Sequence, residues 1–242
     1  MTPVPSGARR TTASGAETVQ SISAAGVAAP RTLGVMVLLV ALLLAAVQPP
    51  VDPGATAVPD LVEIVRLDPT IRLDIRYATS RNFLGRPVYG EARAFLQRPA
   101  AEALARAHRR VKTKGYGIVV FDAYRPWSVT KLFWDATPDD RKQYVADPAK
   151  GSRHNRGCAV DVSLYELRTG RPVRMPSEYD EMTERAWPSY RGGPRRARRL
   201  RDLLRRAMEA EGFTVYEYEW WHFDYRDWQR YPVLDLPFSA LR

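Results

Sequence analysis

Cysteine and histidine are nearly absent, at one and three in 242 residues. The lone Cys158 excludes any intrachain disulfide even in an oxidising compartment, so the core must hold by packing alone. Three histidines leave few ways to assemble a metal site. Acids are also short, 27 Asp and Glu against 37 Lys and Arg, for a formal charge of +10. No internal repeat is present, which argues against solenoids and propellers. No recognisable nucleic-acid-binding motif accompanies the basic residues, so nucleic acid is not an expected partner. What remains, 45% hydrophobic and 26% charged, suits a globular chain of one domain.

Residues 1–32 are rich in Ala, Ser, Thr, Gly and Pro, carry Arg9, Arg10 and Arg31 against Glu17 alone, and read as a disordered tail. From Leu33 to Val47 runs LGVMVLLVALLLAAV, an unbroken apolar stretch. It is shorter than the roughly 20 residues of a membrane span and matches the apolar region of a secretory signal. Ala55-Thr56-Ala57 offers a small-x-small cleavage site. Cleaved export and a retained membrane anchor through residues 33–47 both stay open. Either puts the rest of the chain outside the cytoplasm, secreted, periplasmic or held at the outer face of the membrane. Residues 1–57 are therefore expected to be a signal or anchor region and 58–242 the folded domain.

Within that domain, Leu61 to Tyr77 contains alternating runs such as Ile71-Arg-Leu-Asp-Ile75 that predict strand. From Pro99 to Lys114 the apolar positions Ala100, Leu104, Ala107 and Val111 predict a helix closed by Gly115. His108, beside Arg109 and Arg110, reads as a surface or boundary residue of that helix. Tyr116 to Phe121 predicts a buried strand, ended by Asp122-Ala-Tyr-Arg125-Pro126, so Arg125 is presented at a strand end. Near the C-terminus RGGPRRARRLRDLLRR, residues 191–206, begins a helix with Ala197, Leu200, Leu203, Leu204, Ala207 and Met208 on one face. Its arginines read first as a solvated face, and second as an attraction to anionic cell-envelope polymers. Scattered strands around two or three helices favour an α+β fold.

The residues that carry chemistry lie in two segments, Ser152-Arg-His-Asn-Arg-Gly-Cys-Ala-Val-Asp161 and Glu219-Trp-Trp-His222. With His108 set aside, two histidines remain, so a three-ligand hydrolytic metal site needs a carboxylate as its third member. Strand alternation over 158–164 turns Val160, Val162 and Leu164 one way and Asp161 the other, toward a cleft. His154, Asp161 and His222 can then be ligands, and Glu219 a base for the attacking water. Glu219 and His222 are three apart, which places them on opposite faces of a regular strand. They share a site only if the chain bends at Trp220-Trp221 or the base approaches from a loop.

The segments LDIRYAT (73–79), NFLG (82–85), DAYRP (122–126), SRHNRGCAVD (152–161) and EYEWWHF (217–223) together resemble the zinc D-alanyl-D-alanine dipeptidases, from about residue 60 to the C-terminus. The resemblance implies a single compact α+β domain, a small and mainly antiparallel sheet flanked by helices, with residues 58–242 as its catalytic part. It implies one zinc ion per chain on His154, Asp161 and His222, Glu219 as catalytic base, and Arg125 polarising the scissile carbonyl. Ser152 and Asp180 match positions that hold the termini of a small D,D-dipeptide, with Asp180 meeting the free ammonium. Cys158 stands where the family usually has another small residue and reads as packing.

Two other functions fit the same motifs. A D,D-carboxypeptidase or related cell-wall peptidase would use the same zinc on longer muropeptides, and would need the direction of Asp180 left open. A binding module for wall peptides would keep the fold without turnover, and an intact Glu219 and Arg125 argue against it.

Overall fold

The computed structural model describes residues 48–241. The expected tail and the apolar segment 33–47 lie outside the described residues, and among those described no helix is long and apolar enough to cross a membrane. The last ten residues before 58 are bound to the domain rather than separate from it. Thr56 and Ala57 donate backbone hydrogen bonds to the Arg230 carbonyl, at 2.9 and 2.8 Å, and Asp52 pairs with the buried Arg156.

The first strand, β1 (Leu61–Glu63), leads into a one-turn helix, α1 (Ile64–Leu67), and then the two-residue β2 (Arg72–Leu73). The strand expected over Ile71–Ile75 is thus shorter than its alternation implies, because the chain turns into a 3-10 helix at Arg76–Ala78. β3 (Phe95–Gln97) pairs antiparallel with β1 in a two-stranded sheet. Then come α2 (Arg98–Lys112), β4 (Tyr116–Asp122), α3 (Trp127–Ala136), β5 (Ala159–Glu166), α4 (Arg195–Glu209), β6 (Phe213–Tyr216) and β7 (Glu219–Tyr225). The main sheet has the order β2-β4-β5-β7-β6, with β2 parallel to β4 and every other pair antiparallel. This is the α+β, mainly antiparallel arrangement expected. Helix α3, directly after the Pro126 turn, has no counterpart among the expected elements; its 3.6-residue pattern is short and crowded with aromatics.

α2 packs on α4 and on β4, and the core lies between them. On α4, Ala197, Leu200, Leu204, Ala207 and Met208 are buried as their spacing requires. Arg201 departs from the exposed face predicted for the arginines: it is buried, and Nη1 donates to the Tyr190 carbonyl at 2.8 Å. His108 is a second correction. Four residues after Leu104 on the buried stripe of α2, it is fully buried, not at the surface. Its Nδ1 accepts the Ile118 amide at 3.0 Å, and Nε2 lies 3.0 Å from Thr70 Oγ1. Burial lowers its pKa and keeps it neutral. Both ring nitrogens are committed to protein partners, so His108 has none to offer a metal.

β5 is the strand that positions the site. Val160, Val162 and Leu164 enter the core, whereas Asp161 and Ser163 line clefts on the opposite sheet face. In register, Asp161 stands beside Asp122 of β4 and His222 of β7.

Candidate active site and metal centre

His154 sits in a 3-10 turn, His154–Arg156, closed by Gly157 at φ +66°. A side chain at Gly157 would be strained there, and its Cβ would fall 2.4 Å from Leu61 Cδ2. The turn therefore needs glycine twice over. It sets the imidazole against the strand end, where His154 Nδ1 lies 2.6 Å from the Ala123 carbonyl oxygen. That nitrogen must carry the hydrogen, so Nε2 faces the cleft as a bare lone pair.

His222 is oriented by a carboxylate. Its Nε2 lies 2.9 Å from Asp224 Oδ1, which places the hydrogen there and turns Nδ1 toward the cleft. Glu219 shares the site because β7 bends: Val215 pairs with Phe223 but Tyr216 already pairs with Glu219, so residues 220–222 bulge from the β6–β7 ladder while His222 stays paired with Asp161 of β5. The bend expected at Trp220-Trp221 is present, and Glu219 Oε2 comes within 3.8 Å of His222 Nδ1.

Asp161 completes the group. Its Oδ1 lies 3.3 Å from His154 Nε2 and 3.1 Å from His222 Nδ1, and the two nitrogens are 3.1 Å apart. Its other oxygen, Oδ2, accepts a 2.8 Å hydrogen bond from the buried Tyr179 hydroxyl. Three ligands of a tetrahedral zinc at about 2.0–2.1 Å are spaced about 3.3 Å apart. Two bare imidazole nitrogens and a carboxylate oxygen at that spacing repel one another unless a cation lies among them. The donor set thus fits zinc. A proton on His222 meets the same need: burial opposes the charge, but Asp224 and Asp161 outweigh it and raise the His222 pKa well above its ordinary value. Metal and proton therefore compete for this nitrogen.

Around the metal group lies a cleft open to solvent. Arg125, Ser152, Asp180 and Glu219 all line it, together with His154, Asp161 and His222. All seven residues singled out in the sequence thus reach one cleft. Arg125 is buried, stacked over Phe133 at 4.7 Å, with Nε and Nη2 donating to Asp122 Oδ2 at 3.0 and 2.7 Å. Burial works against its charge, but Asp122 more than compensates and keeps it protonated. Ser152 Oγ accepts the His154 amide at 3.2 Å, which leaves the hydroxyl hydrogen to donate.

Asp180 is held in the left-handed region at φ +62°, which Asp tolerates better than most non-glycine residues. Its Oδ1 accepts from the Tyr77 hydroxyl at 2.9 Å and its Oδ2 from the Phe83 amide at 3.4 Å. Burial raises its pKa to about 7, and burial likewise raises Glu219 to about 8. Such groups stand ready to meet a cation or exchange a proton near neutral pH.

The supporting residues were the ones sequence reasoning missed. Asp224 was detectable, because residue i+2 of a strand shares the face of His222. Asp122 lies within a quoted motif but gave no sign of its role as the clamp on Arg125. Tyr179 reaches Asp161 only through the tertiary fold.

Three protein ligands, a carboxylate beside them and a buried guanidinium in the same cleft define a hydrolytic metal centre. Residues 58–239 match the D-ala-D-ala dipeptidase family, and the chain belongs to it. It is 36% identical over 181 residues to the D-alanyl-D-alanine dipeptidase of Escherichia coli, covering 75% of this chain and 92% of the relative. It is also 36% identical over 191 residues to the enzyme of that name from Enterococcus faecalis, covering 70% and 93%. The Enterococcus faecium enzyme is 37% identical over 187 residues, covering 69% and 92%.

Proposed function

We propose that the chain hydrolyses D-alanyl-D-alanine to two molecules of D-alanine, with one zinc ion per chain on His154, Asp161 and His222. The observation that carries this is the triangle of lone pairs, 3.1 to 3.3 Å on each side, set beside Glu219 in a cleft that also holds Asp180. Zinc bound there supplies Lewis acidity and lowers the pKa of a water to about 7. Glu219 takes the proton of the attacking water and hands it to the leaving amine. Arg125 stabilises the charge that builds on the carbonyl oxygen, and Asp122 holds it for that task. Asp180 receives the ammonium of the dipeptide, and Ser152 contributes a donor for a substrate terminus.

Asp180 supports a dipeptide over a longer muropeptide. A buried carboxylate fixed by Tyr77 and Phe83 favours a cation, and the free ammonium on the first residue of a dipeptide supplies one. The test compares release of D-alanine from D-Ala-D-Ala, its L,L counterpart and a pentapeptide stem, with and without chelation. Turnover of the dipeptide alone, lost with the metal, is expected. Turnover surviving thorough chelation refutes the zinc reading, faster cleavage of the pentapeptide refutes the dipeptide reading, and binding without product refutes the catalytic one.

The proposal extends to location. The apolar run 33–47 after Arg31 supports export, cleaved or anchored. Arg195, Arg199 and Arg206 of α4 are exposed and without ion pairs among the described residues, which supports attraction to anionic envelope polymers. Fractionation of cells producing the full chain tests this, and recovery in the cytoplasm overturns it.

A further inference from the structure

A second cleft, lined in part by Tyr179, opens on the same sheet face as the metal site. Of its side chains, Tyr179 alone touches the metal group, through Asp161. Its floor is apolar at Val119 and Trp220, both buried. One floor residue breaks that pattern: Ser163, in the middle of β5, makes no side-chain hydrogen bond among the described residues, and its hydroxyl is open to the cleft. A hydroxyl held on a rigid strand with its hydrogen-bonding capacity unused can donate to a group that enters the cleft.

The rim supplies fixed cations. The Arg76 guanidinium lies 4.4 Å from the Phe121 ring centroid and is tethered through Nε to Asp74 Oδ2 at 3.0 Å. Its two Nη atoms make no hydrogen bond to the described residues. Arg72 lies over Tyr165 at 3.9 Å, tethered through Nη1 to the Gly170 carbonyl. Guanidinium groups stacked and tethered in this way lose little freedom when an anion arrives, and their N–H edges match a carboxylate. Arg72, Arg76 and Arg174 outnumber Asp74 and Glu178 on the lining, and Asp74 is also paired with Arg81, so the cleft favours an anion.

From these features we infer that the second cleft binds a small organic monocarboxylate, with its carboxylate on the Nη edge of Arg76 and the Ser163 hydroxyl and its apolar body against Val119 and Trp220. The planar edge of Arg76 matches a carboxylate, and the apolar floor selects an organic acid over an inorganic ion. The inference does not depend on what the metal site hydrolyses.

The test is calorimetric titration of the full-length zinc-loaded protein with N-acetyl-phenylalanine, its carboxamide and inorganic phosphate. One saturable site for the carboxylate is expected, with affinity lower by about tenfold or more for the carboxamide and for the Arg76→Gln protein. Ser163→Val should weaken it by several-fold, while D-Ala-D-Ala neither displaces the ligand nor is turned over more slowly by Arg76→Gln. Absence of saturation by about 10 mM overturns the inference, as does equal binding of the carboxamide or of Arg76→Gln. Displacement by D-Ala-D-Ala would assign the binding to the metal site instead, and tighter binding of phosphate would overturn the carboxylate assignment.

Discussion

Asp161 and His222 face each other across the β5–β7 ladder, with Oδ1 and Nδ1 3.1 Å apart. Adjacent strands hold their residues at fixed register, so this separation is set by backbone hydrogen bonds and not by two mobile side chains. The metal group inherits the rigidity of the sheet. What tunes it lies one layer out, in Ala123, Asp224 and Tyr179.

Tyr179 leaves Asp161 one free oxygen by occupying the other. Tyr179→Phe keeps the ring and removes that hydrogen bond. Zinc affinity, read by competition with a chelating dye, is expected to fall about 10- to 100-fold. Unchanged affinity would show that the phenol serves packing alone.

Arg125 and Glu219 should separate in kinetics. Arg125→Met is expected to lower kcat by about 10²–10³, with a much smaller change in KM, since its charge matters most as the carbonyl oxygen becomes negative. Glu219→Gln should retain zinc by metal analysis and lose about 10²–10⁴ in kcat. Loss of zinc from Glu219→Gln would make it a ligand rather than a base.

The pH dependence follows from Asp180. Its pKa is raised to about 7 in the free protein, and only the ionised carboxylate pairs with an ammonium. As pH falls below 7 the competent fraction shrinks about tenfold per unit, so KM for D-Ala-D-Ala should rise on the acid side. Asp180→Asn should have a high KM throughout and lack that component of the acid limb. A wild-type KM flat from pH 5.5 to 8 would remove Asp180 from ammonium binding.

The segment before residue 58 should contribute to stability. Asp52 pairs with Arg156, whose guanidinium is buried, and Thr56 and Ala57 hydrogen-bond to the Arg230 carbonyl. The Asp52 side chain is 25% exposed, which moderates the loss on breaking the pair. A chain starting at 58 is expected to be less stable than one starting at 48 by about 2 kcal/mol, or roughly 4–8 °C in Tm by calorimetry. Equal Tm values would show that the segment only rests on the surface.

Much of the site was legible because strand alternation and scarcity act locally. With three histidines in the chain, the pairing of His154 with His222 followed almost by count, and alternation along β5 was enough to aim Asp161 at a cleft. The same local reasoning misjudged His108. Its neighbours Arg109 and Arg110 are exposed, but a helix turns 100° per residue, so they say little about the face on which His108 lies. It likewise shortened nothing at Ile71–Ile75, where the 3-10 turn at Arg76 depends on packing that no alternation records.

The amino-acid sequence by itself determined the donor types, the α+β class and the need for a bend between Glu219 and His222, because these rest on residue chemistry and on periods of 2 and 3.6. The tertiary structure alone decided that Asp161, His154 and His222 meet at 3.1 to 3.3 Å, that Tyr179 and Asp224 orient them, and that Asp122 clamps Arg125. Those contacts join residues brought together by sheet register and by a turn only glycine can close. Distances of that kind belong to the packed chain as a whole and to no segment of it.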